Sequence, residues 1–379
     1  MRILVIAGRY GISGVPLAQM RFARALARRG HEVELLFGKT EEGQVLPLVK
    51  GVTVRSFEKL RVIQLLLPLV RYFRENRIDL VFSAGDHLNV IVLLAAILSR
   101  TKAKVSCSSR VTPFDTYSRV PFSKGWILKL MSQLTLWRAT ALTCVSEDMV
   151  EQYRTVFGRT RHMCAYNIID DEHSRAALAA KVADPWLAIR DVPLIIAAGS
   201  LVPWKGFDDL IVAMRQVVQV MPTRLLILGE GHMRGELVEL IVKHGLQSVV
   251  RLPGNVDNPL GYFSRANVFV LSSHVEGMPN VLVEAMLCGC TPVATNCPTG
   301  PRELLQGGKY GYLVPIRDPI SLADGILRAL RYPLPVDQLK EAVLPFSEDA
   351  VIARHFDLLG IQTSPRTNPV SIGSCATGG

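Results

Sequence analysis

Glu276 and Glu284 stand eight residues apart in the stretch Ser272-Ser-His-Val-Glu-Gly-Met-Pro-Asn-Val-Leu-Val-Glu-Ala-Met-Leu-Cys-Gly289. Ionised carboxylates only accept hydrogen bonds, so such a pair suits a ligand rich in hydroxyl groups. Between them, Pro279 fits the first position of a helix, and Gly289 fits its end. A helix start leaves unpaired N–H groups and a partial positive charge, so those of Asn280 and Val281 form a seat for phosphate. At ~1.5 Å per helical residue the two carboxylates are on the order of 10 Å apart along the axis. That span matches a diphosphate with a hydroxyl-bearing ring at each end, the shape of a nucleotide sugar. The bland alternative is that Glu284 simply solvates a helix face.

Lys205 lies in a second loop of the same kind, Gly199-Ser-Leu-Val-Pro-Trp-Lys-Gly-Phe207, where a cation could neutralise a diphosphate and assist its departure. Asn255, in Pro253-Gly-Asn-Val256, is placed to help hold a base. In the first half, Gly11 and Gly14 let backbone approach a ligand closely, although their spacing is not that of a dinucleotide-binding fingerprint. Asp86 and His87 follow an apolar strand and could face an acceptor.

The elements that must position these residues repeat. An apolar run Ile3–Ala7, a glycine loop, an amphipathic pattern from Pro16 to Arg29 and a second apolar run Glu32–Phe37 open a doubly wound α/β unit. Alternation continues with a helix over Glu58–Asn76, a strand at Leu80–Ser83, a helix over Asn89–Ser99, and strands at Lys104–Ser108 and Ala141–Val145. The same opening recurs at Pro193–Ala198, Phe207–Gln219 and Arg224–Leu228, followed by strands at Val249–Leu252 and Val268–Leu271. The expected division is 1–168, 169–345, a closing helix within 346–362 and a disordered, Ser/Thr/Gly/Pro-rich tail at 363–379. Two such units leave a cleft between them, a favoured place for a ligand.

Taken together, Gly199…Lys205-Gly-Phe207, Gly229-Glu-Gly231, Glu276-x7-Glu284, Pro292–Leu304 and Gly311-Tyr-Leu-Val-Pro315 resemble the family 4 retaining glycosyltransferases of GT-B fold. In the first half, Gly30-His-Glu-Val33, Val145-Ser146 and Tyr166-Asn167 resemble landmarks of the same family. The resemblance implies a nucleotide-diphosphate sugar held mainly by the second domain, with Glu276 on the transferred sugar, Glu284 on the ribose hydroxyls and Lys205 on the diphosphate. It also implies that the glycine loop of Gly11 and Gly14 faces the diphosphate, and that no metal or further cofactor is needed. The sequence departs from the pattern at two places. Ser200 stands where the family often has an Arg that shares the diphosphate. The strand Lys104–Ser108 is not followed by the usual His, which leaves Arg110 and His87 as acceptor-side candidates.

Composition bounds the reading. The chain has 379 residues, 49% of them hydrophobic, which suits two folded domains and excludes wholesale disorder. The net charge of +10 is uneven: residues 1–190 hold 28 Lys/Arg and 16 Asp/Glu, a net +12, and the rest is −2. In the basic half, Arg55, Lys59, Arg61, Arg71, Arg74 and Arg77 surround apolar Val62–Val70, and Lys124, Lys129 and Arg138 accompany Trp126, Leu130 and Trp137. That mixture suits an anionic membrane surface bringing a lipid-linked acceptor; ordinary helices with solvated edges are the alternative. No nucleic-acid-binding motif accompanies the charge, so nucleic acid is not an expected partner. The seven cysteines include no CxxC pair, and no apolar run reaches the ~20 residues of a spanning helix. A cytoplasmic enzyme, peripheral on the inner face of the cell membrane, is expected. The expected reaction transfers a hexosyl unit from a UDP-linked sugar to a glycan or lipid-linked acceptor of a bacterial surface polysaccharide. A GT-B nucleotide-sugar epimerase, a glycan phosphorylase, or a non-enzymatic binder of nucleic acid or membrane are the alternatives.

Overall fold

The computed structural model describes residues 1–11, 14–59, 61–158, 160–188 and 191–362. The tail expected at 363–379 lies outside the described residues. Two fully parallel sheets organise the chain. The first contains β1 (Arg2–Ala7), β2 (Glu32–Phe37), β3 (Val52–Ser56), β4 (Leu80–Ala84), β5 (Lys104–Ser109), β6 (Ala141–Cys144) and β7 (His162–Cys164) in the order β3-β2-β1-β4-β5-β6-β7. The second contains β8 (Leu194–Ala198), β9 (Arg224–Leu228), β10 (Val250–Gly254), β11 (Val268–Leu271), β12 (Thr291–Thr295) and β13 (Tyr312–Val314) in the order β10-β9-β8-β11-β12-β13. In each sheet the order reverses beside the first strand, between β1 and β4 and between β8 and β11. Such a switch opens a crevice at the carboxyl ends of the strands.

Strands covered on both faces need continuous apolar runs rather than alternation. Ile3–Ala7 and Leu194–Ala197 are accordingly buried throughout. The edge strand β3 alternates half-buried and exposed residues, a pattern with a weaker sequence signal. The helix expected over Glu58–Asn76 is shorter. A 3-10 turn, Val62–Leu65, precedes an α-helix at Leu66–Glu75. Pro68 explains the change, because its ring excludes the carbonyl that an α-helix would place four residues earlier.

The chain crosses between the sheets twice, side by side. The Ile169 N–H donates to Phe346 O at 2.9 Å, and Asp170 bridges Ser347. The closing helix Glu348–Leu358 packs Val351, Ile352 and Phe356 against Ile3, Phe22 and Phe82 of the first sheet's core. Arg28 and Arg29 bond Glu348 at its start, and Lys104 Nζ donates to Leu359 O at 2.6 Å at its end. This helix carries His355, whose ring meets Phe22 and Phe82 with centroids 4.8 and 5.8 Å away. Burial, with Arg110 and Arg354 nearby, lowers its pKa from 6.5 to about 3, and burial lowers that of His162 to about 4.

Both imidazoles are neutral when folded and titrate near their ordinary value when unfolded. Their depressed pKa values therefore give stability that is full above about pH 6.5 and lost as pH falls toward 3–4, at about 1.4 kcal/mol per unit. The thermal midpoint should fall on acidification from pH 7 to 4.5. His355→Phe, which fills the same aromatic slot, should lose less of its midpoint over that interval in calorimetry. An unchanged acid dependence would remove His355 from this account.

Candidate active site

Lys205 and Glu276 are brought together from loops at the carboxyl ends of β8 and β11. After β8 the chain makes a 3-10 turn, Pro203–Lys205, and Gly206 follows at φ 61°. This left-handed residue presses directly on the second loop, since a Cβ there would lie 2.2 Å from Ser272 O. Ser272 Oγ donates to Lys205 O at 2.9 Å, and the His274 N–H donates to Trp204 O at 2.8 Å. His274 is itself anchored to Asp209, with Nε2 and Oδ2 2.8 Å apart. The docked loops set Lys205 Nζ 2.6 Å from Glu276 Oε1, which also accepts from Ser273 Oγ at 2.6 Å. The side chains are 19% and 11% exposed, so the pair is partly shielded yet reachable. An ammonium has three N–H donors, and Glu276 takes one, so Lys205 retains capacity for a ligand anion.

The Glu276 backbone is fixed from β12's following loop. The Glu276 N–H donates to Pro298 O at 2.8 Å, and Thr299 Oγ1 donates to Gly277 O at 2.7 Å. The helix after Glu276 runs from Asn280 to Leu287 with Pro279 as its cap, one residue later than the sequence suggested. This corrects the expected phosphate seat, because the Asn280 N–H already donates to Met278 O at 2.9 Å. Asn280 instead presents its side-chain carbonyl to Asn167 of the first domain at 2.9 Å. Val281, one residue on, is partly accessible. Glu284, one turn inside the helix, is paired across the cleft with Arg21 at 2.9 Å. Ser200 and Asn255 are exposed just beyond the ends of β8 and β10.

On the first domain, the structure corrects two acceptor-side expectations. Asp86 opens helix Asp86–Ser99 with its carboxylate turned inward, accepting from Ser109 Oγ at 2.7 Å and Tyr153 OH at 2.9 Å. Burial pushes its pKa up. Arg110 is also turned inward, bonded to Asn167 and, at 3.3 Å, to Gln19. Desolvation lowers its pKa to about 10, and its buried Nε has no partner among the described residues. Both side chains are engaged within the first domain, and Arg110 props the Asn167 that reaches Asn280 at the seam, so neither is turned toward an acceptor. His87 is exposed and borders a hollow of about 880 Å³ with Gly8, Val62, Phe114, Asp115 and Lys124. Gly11 is buried, and a Cβ there would meet the Glu41 carboxylate at 2.2 Å, so its close approach serves its own domain; Gly14 begins the first helix, and a Cβ there would meet nothing within 4 Å among the described residues.

Residues that sequence reading missed lie mainly at the seam. Glu303 accepts from the N–H groups of Glu147 and Asp148 at 3.0 and 3.1 Å and from Tyr166 OH at 2.7 Å. Asp148 returns the bond by accepting from the Gly300 N–H at 3.1 Å. Each domain thus caps a helix of the other, a favourable use of carboxylates at helix starts. Burial raises the Glu303 pKa. Among the described residues, Asp208, Asp209 and His274 are close enough to share a divalent ion, with ligand atoms within 4.8 Å of one another. The His274–Asp209 bond already gives two of them a loop-anchoring task.

Two doubly wound domains, with paired carboxylates and a lysine at the carboxyl ends of the second sheet, define a GT-B architecture. Structural likeness agrees. HepE of Anabaena in complex with UDP superposes with a TM-score of 0.77 at 18% identity, over 95% of this chain and all of its own. The sucrose-phosphate synthase of Thermosynechococcus elongatus does so at 0.74 and 19%, over 94% and 98%. The sequence pattern described as "Glycosyl transferases group 1" matches residues 192–332, and that of the "Glycosyl transferase 4-like domain" matches residues 13–166. The chain belongs to the group 1, family 4 glycosyltransferases. Among curated relatives, the N-acetylgalactosamine-N,N'-diacetylbacillosaminyl-diphospho-undecaprenol 4-alpha-N-acetylgalactosaminyltransferase of Campylobacter jejuni is 29% identical over 280 residues, 73% of each chain. The amylovoran biosynthesis glycosyltransferase of Erwinia amylovora is 23% identical over 310 residues, 81% of this chain and 84% of its own.

Proposed function

We propose that the protein transfers a hexosyl unit, with retention of configuration, from a UDP-linked sugar to a glycan or lipid-linked acceptor in bacterial surface polysaccharide synthesis. The Lys205–Glu276 pair carries the reading. Its ammonium meets the charge that develops on the departing diphosphate, and the carboxylate beside it binds hydroxyls of the transferred sugar. Because Lys205 supplies that positive charge, the reaction needs no metal or cofactor beyond the nucleotide sugar. The incoming hydroxyl gives its proton to the departing phosphate on the same face. The relatives' roles in diphospho-undecaprenol and amylovoran chemistry, and the UDP complex of HepE, support the donor and acceptor classes. A calorimetric screen of UDP-, GDP- and ADP-sugars tests the donor, and anomeric analysis of the product tests retention. Binding of none of the three would overturn the reading.

The acceptor side favours a lipid carrier. Beside the hollow bordered by His87, the segment 114–137 exposes Phe114, Val120, Phe122, Ile127, Leu134 and Trp137, with Arg119 and Lys124 exposed among them. Arg138 is spent on the Thr101 and Ala103 carbonyls and contributes little to that surface. No helix among the described residues is long and apolar enough to cross a membrane, so contact would be interfacial. Phe122→Glu combined with Trp137→Glu should reduce co-sedimentation with phosphatidylglycerol vesicles at least about fivefold by removing buried apolar area and adding repulsion. Equal sedimentation of variant and wild type would sink the membrane assignment.

A further inference from the structure

Arg21 is the unexpected neighbour of the donor site. It lies on helix Gly14–Arg28 of the first domain, yet its Nη2 is 2.9 Å from Glu284 Oε1 in the second. Both side chains are largely enclosed, at 18% and 17% exposure. The guanidinium also reaches the carbonyl of Ile168, at 3.5 Å, where the chain passes between domains. A carboxylate has two oxygens, and the arginine occupies one of them.

We propose that Arg21 is a donor-positioning residue lent by the opposite domain. It fixes Oε1 of Glu284 so that Oε2 faces the ribose hydroxyls of the nucleotide. The inference rests on the reading of Glu284 as the ribose acceptor. Its consequence is that the ribose subsite is complete only when the first domain is seated on the second. Donor binding and domain closure are therefore coupled through one ion pair, since a ligand that prefers the closed form shifts the population toward it. The arginine also brings a second cation to a donor site in which Ser200 offers none.

Binding of UDP, with ADP and GDP alongside, and of 2′,3′-dideoxyuridine diphosphate should be measured by calorimetry on wild type, Arg21→Gln, Arg21→Lys, Glu284→Gln and the Arg21→Gln/Glu284→Gln double variant. Arg21→Gln should weaken UDP binding about tenfold, the loss of about one charge-assisted contact. Binding of the dideoxy nucleotide should not change, because it has no hydroxyl for Glu284 to hold. Arg21→Lys should recover part of the loss, and the double variant should be no weaker than the weaker single variant. Equal weakening of both nucleotides, or tighter UDP binding by Arg21→Gln, would show a general or inhibitory latch and overturn the proposal. If Glu284→Gln weakens UDP and Arg21→Gln does not, the proposal alone falls. If Glu284→Gln leaves UDP binding unchanged, or wild type binds none of the three diphosphates, the ribose or donor reading falls and takes the proposal with it.

Discussion

Lys205→Ala is expected to lower kcat by about a thousandfold while the protein stays folded, the scale of losing one preorganised charge at a developing anion. The ammonium lies 2.6 Å from Glu276 and is only 19% exposed, so water cannot reproduce its position. Its removal leaves Glu276 bonded to Ser273 Oγ, and because that carboxylate is only 11% exposed the lost partner costs about 1–3 kcal/mol of stability. Lys205→Arg should restore little, because the planar fork cannot occupy the place of a compact ammonium wedged between two docked loops. Glu276→Gln should also be severe, and the double variant should be close to the worse single one, as for groups acting as a unit. The measurement is initial rate against donor concentration, with circular dichroism and thermal midpoint as controls. A folded Lys205→Ala enzyme turning over at the wild-type rate would remove Lys205 from the mechanism.

Gly206→Ala should combine a loss of stability with a loss of activity. At φ 61°, a side chain costs about 1 kcal/mol relative to glycine. The new methyl would also stand 2.2 Å from Ser272 O, a backbone atom in a loop tied to Thr295. Relieving that clash adds about 1–3 kcal/mol of overpacking strain. A midpoint drop of about 5–10 °C follows for a domain of this size. The clash also pushes the Lys205 and Glu276 loops apart, and a displacement of about 1 Å costs on the order of a hundredfold in rate. Gly235→Ala is the control, since inside helix Arg234–Lys243 its Cβ would meet nothing within 4 Å among the described residues. If Gly206→Ala is as stable and as active as Gly235→Ala, the loop-docking account is wrong.

Much of the architecture was legible because buried parallel strands write themselves as short apolar runs. Ile3–Ala7, Leu80–Ala84 and Val268–Leu271 are of this kind. The four strands left unassigned, β3, β7, β12 and β13, are edge, three-residue or proline-containing segments whose pattern is faint. At the site, the spacing of Glu276 and Glu284 and the loop around Lys205 were visible because each follows a strand and precedes a helix. Asp86 and Arg110 occupy equivalent places on the first domain, yet their side chains turn inward. Position after a strand says that a residue is near the crevice, but not which way its side chain turns.

The sequence by itself therefore determined the two repeated α/β units, their excess of positive charge in the first half, and the loops that bring carboxylates and a lysine to the strand ends. These are local properties, set by hydrophobic periodicity, glycine placement and residue chemistry. Only the tertiary structure decided that Lys205 meets Glu276, that Glu284 answers to Arg21 from 263 positions away, and that Asp148 and Glu303 cap one another's domains. Such pairings depend on how two folded bodies seat against each other. A hydrogen bond is directional and works within about 3 Å, so its partners are chosen by packing geometry that sequence separation does not encode.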